Sequence, residues 1–282
     1  MSHQVDFSAF QEKTQPGTEV KQVIGVASGK GGVGKSTVTA LLAAAAVKKG
    51  LRTAILDADI TGPSIPAMFG ITERPGMAED GCLIPPMLGA DEISRTLLPG
   101  DAASSKNSAS AGSLKVMSMS FLLDNPTDGV LWRGPMIAGV VKQFWTEVHW
   151  GEIDVMFVDM PPGTGDVPLT VYQSFPIRSV VLVTTPQTLV RGIVEKAMDM
   201  TKKMLVPIAG VVENMAYFTC PDCGKKHELF GPSGLPAFQE EFRIKNTLQL
   251  GMNPKLAEMA DSGSLINADV TDVEPFLEKI MK

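Results

Sequence analysis

The sequence predicts an α/β fold: a single doubly wound, mainly parallel sheet with helices on both faces. Strand-length apolar runs alternate with helix-length segments, an order typical of right-handed crossovers in a parallel sheet. A glycine-rich loop separates the first strand from the first helix, and carboxylate or amide side chains follow later strands. Because such sheets bind ligands at the carboxyl ends of their strands, we expect these groups to meet at one edge.

The first elements surround the glycine loop. A strand is expected at residues 23–27, and a helix from about residue 35 to 49, ended by Gly50 as its C′ residue. The proline- and glycine-rich residues 60–88 predict irregular structure with one helical turn. Further strands are expected at 53–56, 114–119, 155–158, 180–184 and 208–212, helices at about 135–150 and 188–204, and two or three short helices after residue 235.

Composition narrows the class of protein. The chain has 282 residues, 44% of them hydrophobic and 20% charged, which suits one globular domain. We expect a flexible tail at residues 1–20, a folded domain at 21–282 and, from small polar residues, a flexible loop at about 89–113. The net charge of −6 disfavours a nucleic-acid partner. No apolar run reaches the ~18 residues of a membrane span. Three cysteines form no disulfide framework, so a reducing, cytoplasmic setting is expected.

The central motif is the loop Ser28-Gly29-Lys30-Gly31-Gly32-Val33-Gly34-Lys35-Ser36-Thr37. It fits the phosphate-loop pattern G-x-x-x-x-G-K-[ST]. Its backbone N–H groups and the positive end of the following helix suit a polyphosphate. Lys35 can reach the β- and γ-phosphates, and the Ser36 hydroxyl can ligate Mg²⁺. The predicted nucleotide-binding residues are therefore Gly29, Lys30, Gly31, Gly32, Val33, Gly34, Lys35, Ser36 and Thr37.

Polar residues after three other strands are expected beside this loop. Asp159 ends an apolar strand as a Walker B carboxylate does, and we expect it to hold Mg²⁺ through water. The loop at residues 160–166, with two prolines and then two glycines, could sense the γ-phosphate as GTPase switches do. Asn214 can make a two-pronged amide contact with a purine edge. Asp57 and Asp59 follow a further strand. Asp57 either belongs to the site or is a structural cap, since aspartate is favoured where a helix or turn begins.

Cys220 and Cys223 form a C-x-x-C pair within a Pro-Asp turn, and two such thiols can hold one metal ion or cluster edge. Residues 224–226 favour a knuckle over the strand-to-helix junction of a redox dithiol. A closed zinc site needs four ligands. Two chains would supply four thiolates, enough for a bridging [4Fe–4S] cluster. Zinc, or a redox or structural pair, remains the alternative.

Two other residues, Cys82 and His227, carry side chains that can bind a metal. Cys82 is remote in the sequence and is interpreted as a small apolar residue. His227 follows the knuckle directly and is interpreted as a surface residue. Neither is expected to bind the metal.

Lys30 adds a second lysine inside the loop. In this respect the loop resembles the deviant Walker A loop of the ATPases that include MinD, ParA and the nitrogenase iron protein. In that family the extra lysine reaches across a dimer to the nucleotide of the partner. The resemblance implies a homodimer with two ATP molecules at its interface and catalytic roles for Lys30, Lys35 and Asp59, with Asp59 orienting the attacking water. It also implies that Asn214 contacts adenine.

The combination of motifs more closely resembles the Mrp/ApbC-type iron–sulfur cluster carrier ATPases. Such proteins are homodimers that bind an oxygen-labile cluster between subunits and hand it to apo-proteins. The resemblance implies slow ATP hydrolysis coupled to transfer of a [4Fe–4S] cluster, with apo iron–sulfur proteins and assembly factors as partners. The loop at 89–113 is longer than usual, and the N-terminal cysteine group of the scaffold relatives is missing. The matching segments are residues 29–37, 57–64, 132–135, 159–166, 184–187 and 212–223.

Two alternatives belong to the same superfamily. A positioning ATPase like MinD or ParA, acting on membrane or DNA, needs an amphipathic anchor or a basic surface. The acidic balance and the short, lightly basic residues 273–282 oppose it, so no nucleic acid and no stable membrane association is expected. A redox ATPase like the nitrogenase iron protein is disfavoured. The cysteines of that protein are widely separated, whereas Cys220 and Cys223 form a C-x-x-C pair.

Overall fold

A computed structural model describes residues 11–59, 62, 64–89, 112–122, 134–187 and 191–282 of the chain. Predictions that fall on residues 1–10, on residues 132–133 and on most of the loop at 89–113 lie outside the described residues. The strands are β1 (Glu19–Val20), β2 (Val23–Ser28), β3 (Arg52–Asp57), β4 (Gly76–Met77), β5 (Leu83–Ile84), β6 (Met87–Leu88), β7 (Ser113–Ser118), β8 (Glu152–Ile153), β9 (Val155–Asp159), β10 (Ser179–Thr184), β11 (Ile208–Glu213), β12 (Phe218–Thr219), β13 (Lys226–His227) and β14 (Thr247–Gln249).

Helices connect and cover these strands. Two further segments, Met119–Leu122 and Leu265–Asn267, are 3₁₀ helices. No described helix is long and apolar enough to cross a membrane. The α-helices are α1 (Lys35–Lys48), α2 (Ile65–Met68), α3 (Gly134–Thr146), α4 (Asp166–Ser174), α5 (Arg191–Lys203), α6 (Leu235–Phe242), α7 (Pro254–Asp261) and α8 (Glu274–Ile280).

The main sheet has eight strands in the order β14-β11-β10-β2-β9-β3-β7-β6. Every neighbouring pair is parallel except β6 with β7, which is antiparallel at the edge. The glycine loop follows β2, whose neighbours are β9 and β10. The predicted doubly wound, mainly parallel sheet is confirmed.

Two apolar cores cover the two faces of the sheet. Met156 and Val158 of β9 point into one core with α3, α4 and α6, while Val155 and Phe157 point into the other with α1 and α8. This alternation follows from the period of two in a strand. Helix α1 is alanine-rich and buried around its whole circumference from residue 38 to 47, so the glycine loop is anchored to an element that cannot easily shift.

Several element boundaries differ from the predictions. Helix α3 ends at Thr146 rather than near residue 150, because Glu147 and His149 hydrogen-bond through their backbones to Leu83 instead. Strand β14 was missed, since three residues are too short to show a pattern. Helix α4 and the two-residue strands β4, β5 and β6 were also not predicted. Gly50, with a φ of 79°, follows α1 as expected.

Residues 11–20, assigned from sequence to a flexible tail, contact the folded domain. The Trp145 indole N–H donates to the Glu12 carbonyl oxygen at 2.9 Å, and the Gln15 amide donates to the Thr146 carbonyl oxygen at 2.7 Å. Strand β1 pairs with β8 in parallel register. The packed part of the chain therefore begins before residue 21.

Candidate functional site

The glycine loop curls between the end of β2 and the start of α1. Gly32 and Gly34 have φ angles of 79° and 81°, conformations that residues with side chains rarely adopt. Helix α1 begins directly after this turn, with the Val38 N–H donating to the Gly34 carbonyl oxygen at 2.9 Å. The loop borders a cavity of about 260 Å³ that is also lined by Asp59 and Pro162.

A larger cavity of about 540 Å³ lies at the opposite ends of the strands, near the first residues of β10 and β11. None of the predicted site residues lines it. The residues predicted to bind the nucleotide phosphates therefore lie at the smaller cavity, at the carboxyl ends of the strands.

Lys35 is buried and held by two carboxylates. Its Nζ donates to Asp159 Oδ1 at 2.8 Å and lies 3.1 Å from Asp59 Oδ2. Burial alone would lower the pKa of Lys35, but the charges of Asp159 and Asp59 outweigh burial and raise that pKa. The predicted convergence of these three residues is confirmed. Their roles in binding and catalysis stay predictions.

Asp159 ends β9 and is fully buried. Ser36 Oγ donates to its Oδ2 at 2.6 Å, and Thr39 Oγ1 lies 2.8 Å from its Oδ1. Burial raises the pKa of Asp159, while Lys35 and the two hydroxyl groups oppose the rise. Thr39 was not recognised in the sequence. Its spacing of four residues from Lys35, on one face of a helix, was the available signal.

Asp57 is a buried structural carboxyl group beside this cluster. Its Oδ1 accepts the Asp59 N–H at 3.1 Å, and its Oδ2 accepts the Ser118 hydroxyl at 2.9 Å. Burial raises the pKa of Asp57 to about 8, with the charge of Asp159 adding to the rise and Ser118 opposing it. Through its hydrogen bond with the Asp59 N–H, Asp57 shapes the turn that presents Asp59. This geometry favours the structural interpretation of Asp57.

Asn214 follows β11 and packs against the glycine loop. Its Nδ2 donates to the Val33 carbonyl oxygen at 2.9 Å, and its N–H donates to the Thr184 carbonyl oxygen at 2.8 Å. A Cβ atom at Gly34 would collide with this amide nitrogen. Asn214 thus holds the loop, while its predicted contact with adenine stays a prediction.

Lys30 is exposed on the loop and lines the 260 Å³ cavity. Its carbonyl oxygen accepts the Ser28 hydroxyl at 3.0 Å, but its side chain pairs with no residue that the structure describes. The Gly163 N–H donates to the Ser28 carbonyl oxygen at 3.0 Å, which joins the loop at residues 160–166 to the glycine loop. An exposed lysine therefore lines the edge of the site.

The donor set around Ser36 fits a magnesium ion. A hydroxyl oxygen and two carboxylates, Asp159 and Asp59, are the hard ligands that Mg²⁺ prefers. Ser36 Oγ and Asp159 Oδ2 already lie together at 2.6 Å. Ser36 and Asp159 would hold the ion, which would neutralise charge on bound phosphates.

The cysteine pair lies in the turn of the antiparallel hairpin formed by β12 and β13. The Gly224 N–H donates to the Cys220 carbonyl oxygen, and the Cys220 N–H donates to the Lys225 carbonyl oxygen, both at 2.9 Å. The pair thus lies in a hairpin turn and not at a strand-to-helix junction. The pKa of Cys220 is lowered because the backbone N–H groups of Cys223 and Asp222 and the Cys223 side chain hydrogen-bond to its sulfur. A lowered pKa favours the thiolate that binds metals.

The knuckle is exposed and short of ligands. Residues 221–230 are all exposed, including the apolar Leu229 and Phe230. Among the described residues, no third His, Cys, Asp or Glu joins the two thiols, since the group with metal-ligand spacing lies elsewhere and contains Cys82. His227 lies exposed in β13, as expected of a surface residue.

A parallel sheet, a glycine loop with a buried lysine, and a carboxylate ending the neighbouring strand define a P-loop nucleoside triphosphatase. The chain belongs to the ParA family described as NUBPL iron-transfer P-loop NTPases, whose family model matches residues 19–282. An 18% identical structure, the cell division ATPase MinD of Pyrococcus furiosus, shares the fold with a TM-score of 0.58, covering 92% of this chain and 98% of that one.

Proteins with higher sequence identity to this chain support the same family assignment. An iron-sulfur cluster carrier protein of Clostridium perfringens is 43% identical over 248 residues, covering 86% of this chain and 80% of the relative. One from Pseudomonas fragi is 40% identical over 246 residues, covering 86% and 77%. A nucleotide-binding protein of Archaeoglobus fulgidus, whose structure was solved in complex with ADP and was found to contain cobalt, is 37% identical to this chain. The two structures have a TM-score of 0.71, and the match covers 89% of each chain. The resemblance to iron–sulfur cluster carriers is confirmed.

Proposed function

We propose that this chain is an ATP-dependent carrier that binds a [4Fe–4S] cluster at a homodimer interface and transfers it to apo iron–sulfur proteins. One observation carries the proposal: the half-buried Cys220 thiol and the exposed Cys223 thiol share a preformed turn, with no third ligand among the described residues. The relatives named iron-sulfur cluster carrier proteins support it. The free thiols Cys82, Cys220 and Cys223 suit a reducing, cytoplasmic setting.

The cluster is the cargo, and two chains hold it together. A [4Fe–4S] cluster is commonly held by four cysteine thiolates, and the Cys220 and Cys223 pairs of two subunits supply that number. The lowered pKa of Cys220 favours the ligating form. Leu229, with 61% of its surface exposed, and Phe230, with 38%, add apolar surface beside the thiols. Burying this surface would stabilise the subunit contact.

In this proposal, ATP binding and hydrolysis at the nucleotide site control the transfer of the cluster. Lys35 binds the phosphates, Ser36 and Asp159 hold Mg²⁺, Asp59 orients the attacking water, and Lys30 reaches the nucleotide of the other subunit. Asn214 connects the two sites: its amide holds the Val33 carbonyl oxygen in the loop, and the chain reaches Cys220 six residues later. A change at the γ-phosphate can therefore reach the knuckle through the hydrogen bond between Val33 and Asn214 and the six residues of chain that follow Asn214.

Anaerobic reconstitution of the full chain with iron and sulfide tests the cargo. We expect about four iron and four sulfide per two chains with the absorption of a [4Fe–4S] cluster. The Cys220→Ser/Cys223→Ser variant should lose both, and Cys82→Ser, the matched single-thiol control, should keep them. A cluster of unchanged content in the double variant would contradict the proposal, and so would anaerobically purified protein without iron whose zinc is lost in the double variant.

A further inference from the structure

A second group of metal-ligating side chains lies outside both sites. It consists of Asp80, Cys82 and His149, each offering one ligand atom, and these atoms all lie within 4.8 Å of one another. His149 Nε2 is 2.8 Å from Asp80 Oδ2. None of the three residues lines the nucleotide cavity or belongs to the knuckle.

Backbone hydrogen bonds hold the three residues in place. The turn between β4 and β5 carries Asp80 and Cys82, with the Cys82 N–H donating to Asp80 Oδ1 at 3.0 Å and the Ala78 N–H donating to the Cys82 carbonyl oxygen at 2.8 Å. The next residue, Leu83, accepts the His149 N–H at 2.9 Å. Two segments that are distant in sequence are thus locked side by side, which limits the entropy that a ligand would have to remove.

We propose that Asp80, Cys82 and His149 form a site for a Zn²⁺ ion. Thiolate, imidazole and carboxylate are the three donors that zinc accepts in proteins. In a tetrahedral zinc site neighbouring N and O ligands lie about 3.4 Å apart, a separation that follows from the metal–ligand distances. The His149–Asp80 hydrogen bond would therefore have to open by about half an ångström.

The exposure of the group allows an ion to enter. The Cys82 thiol is buried, while the side chains of His149 and Asp80 are 32% and 52% exposed. Three protein ligands leave a fourth position for water, as in an open zinc site. A single thiol cannot hold an iron–sulfur cluster, so this site differs in chemistry from the knuckle. Bound zinc would tie the hairpin of β4 and β5 to the segment after α3 and would stabilise the folded chain by mass action.

The full chain carrying Cys220→Ser/Cys223→Ser tests the site without interference from the knuckle. After incubation with Zn²⁺ and removal of free metal, we expect one zinc per chain and a raised melting temperature. Adding Cys82→Ala should abolish both effects, whereas adding His227→Ala, the exposed histidine control, should change neither. With Co²⁺ as the probe, a thiolate-to-cobalt absorption band should appear and should vanish with Cys82→Ala.

Absence of zinc from the knuckle-free chain, or an unchanged zinc content after Cys82→Ala, would overturn the proposal. Nucleotide binding and the melting temperature without metal show whether each variant is folded. If Cys82→Ala fails to fold, Asp80→Asn at the exposed ligand decides instead. It should weaken zinc binding at least tenfold, and unaltered affinity would again overturn the site.

Discussion

At the scale of the residue, Asp154 accepts four hydrogen bonds at the amino ends of the strands. It accepts the Arg52 N–H at 2.9 Å, the Arg52 guanidinium at 2.9 and 3.1 Å, and Lys21 Nζ at 2.8 Å. Hydrogen bonds from Arg52 hold the pKa of Asp154 well below its usual range, with Lys21 adding to the effect. This ion pair joins β3 to the start of β9.

Asp154→Asn should therefore lower the free energy of unfolding by about 1 kcal/mol at pH 7, a modest value because Arg52 is 38% exposed. An aspartate with a lowered folded-state pKa stabilises the fold above its unfolded pKa of about 3.9. The difference from wild type should be full above about pH 5 and shrink as the pH falls below 4. Urea unfolding across this range measures it. Asp199→Asn, at an exposed helical pair with Lys203, is the control and should change little. A difference that grows on acidification would contradict the assignment.

Single residues differ in how far the sequence predicts them. Lys35, Ser36 and Asp159 were predicted because a phosphate loop and a strand-end carboxylate are recognisable within short stretches. Thr39 and Ser118 were not, since their partners Asp159 and Asp57 lie 120 and 61 residues away. The spacing of Thr39 from Lys35 indicates that the two residues share a helix face, but it does not identify the carboxylate that the Thr39 hydroxyl contacts. The register of β3 with β7 pairs Asp57 with Ser118, and the packing of α1 on β9 brings Thr39 to Asp159.

At the scale of the element, glycines show where helices and strands are closely packed. A Cβ atom on Gly210 in β11 would lie 2.7 Å from the ring of Phe276 in α8 and 2.8 Å from the Asn246 carbonyl oxygen. Phe276 is only 3% exposed and has little room to move. By contrast, a Cβ atom on Gly139 in α3 would meet no atom within 4 Å.

Gly210→Ala should lower the free energy of unfolding by about 1–3 kcal/mol, the usual result of overpacking. Gly139→Ala should raise it by about 0.5–1 kcal/mol, because alanine restricts the unfolded chain and favours a helix. The two identical substitutions serve as controls for each other in urea or thermal unfolding. Equal stability of the two variants would show that α8 does not pack on β11 as described.

Elements were predicted where their own residues determined them. The strands β2, β9 and β10 are buried along their whole length and mostly apolar, so the sequence predicted them clearly. The end of α3 was not, because the backbone groups of residues 147 and 149 pair with Leu83 in a distant segment. Strand β14 likewise depends on β11 for its pairing. Long-range hydrogen bonds outweigh local propensity at such places.

At the scale of the whole molecule, the proposed cluster site and the proposed nucleotide site are both incomplete in one chain. The knuckle lacks two thiolates, and Lys30 lines the nucleotide cavity without a side-chain partner among the described residues. In the proposed two-fold dimer, identical surfaces would face each other and would complete both sites at once. Nucleotide and cluster would then be linked through the same assembly.

Lys30→Ala should abolish ATP hydrolysis while leaving the melting temperature unchanged, because an exposed lysine contributes little to folding. Lys255→Ala, at an exposed position in α7, is the control and should remain active. Asp59→Asn should also be inactive, since it removes the carboxylate that we propose to orient the attacking water. If Lys30 acts on the other subunit's nucleotide, mixing these two inactive variants creates dimers with one intact site. With random exchange half of the dimers are mixed, so about a quarter of the wild-type rate should return. Steady-state phosphate release measures it, and a mixture that stays inactive despite proven subunit exchange would place Lys30 at its own subunit's nucleotide.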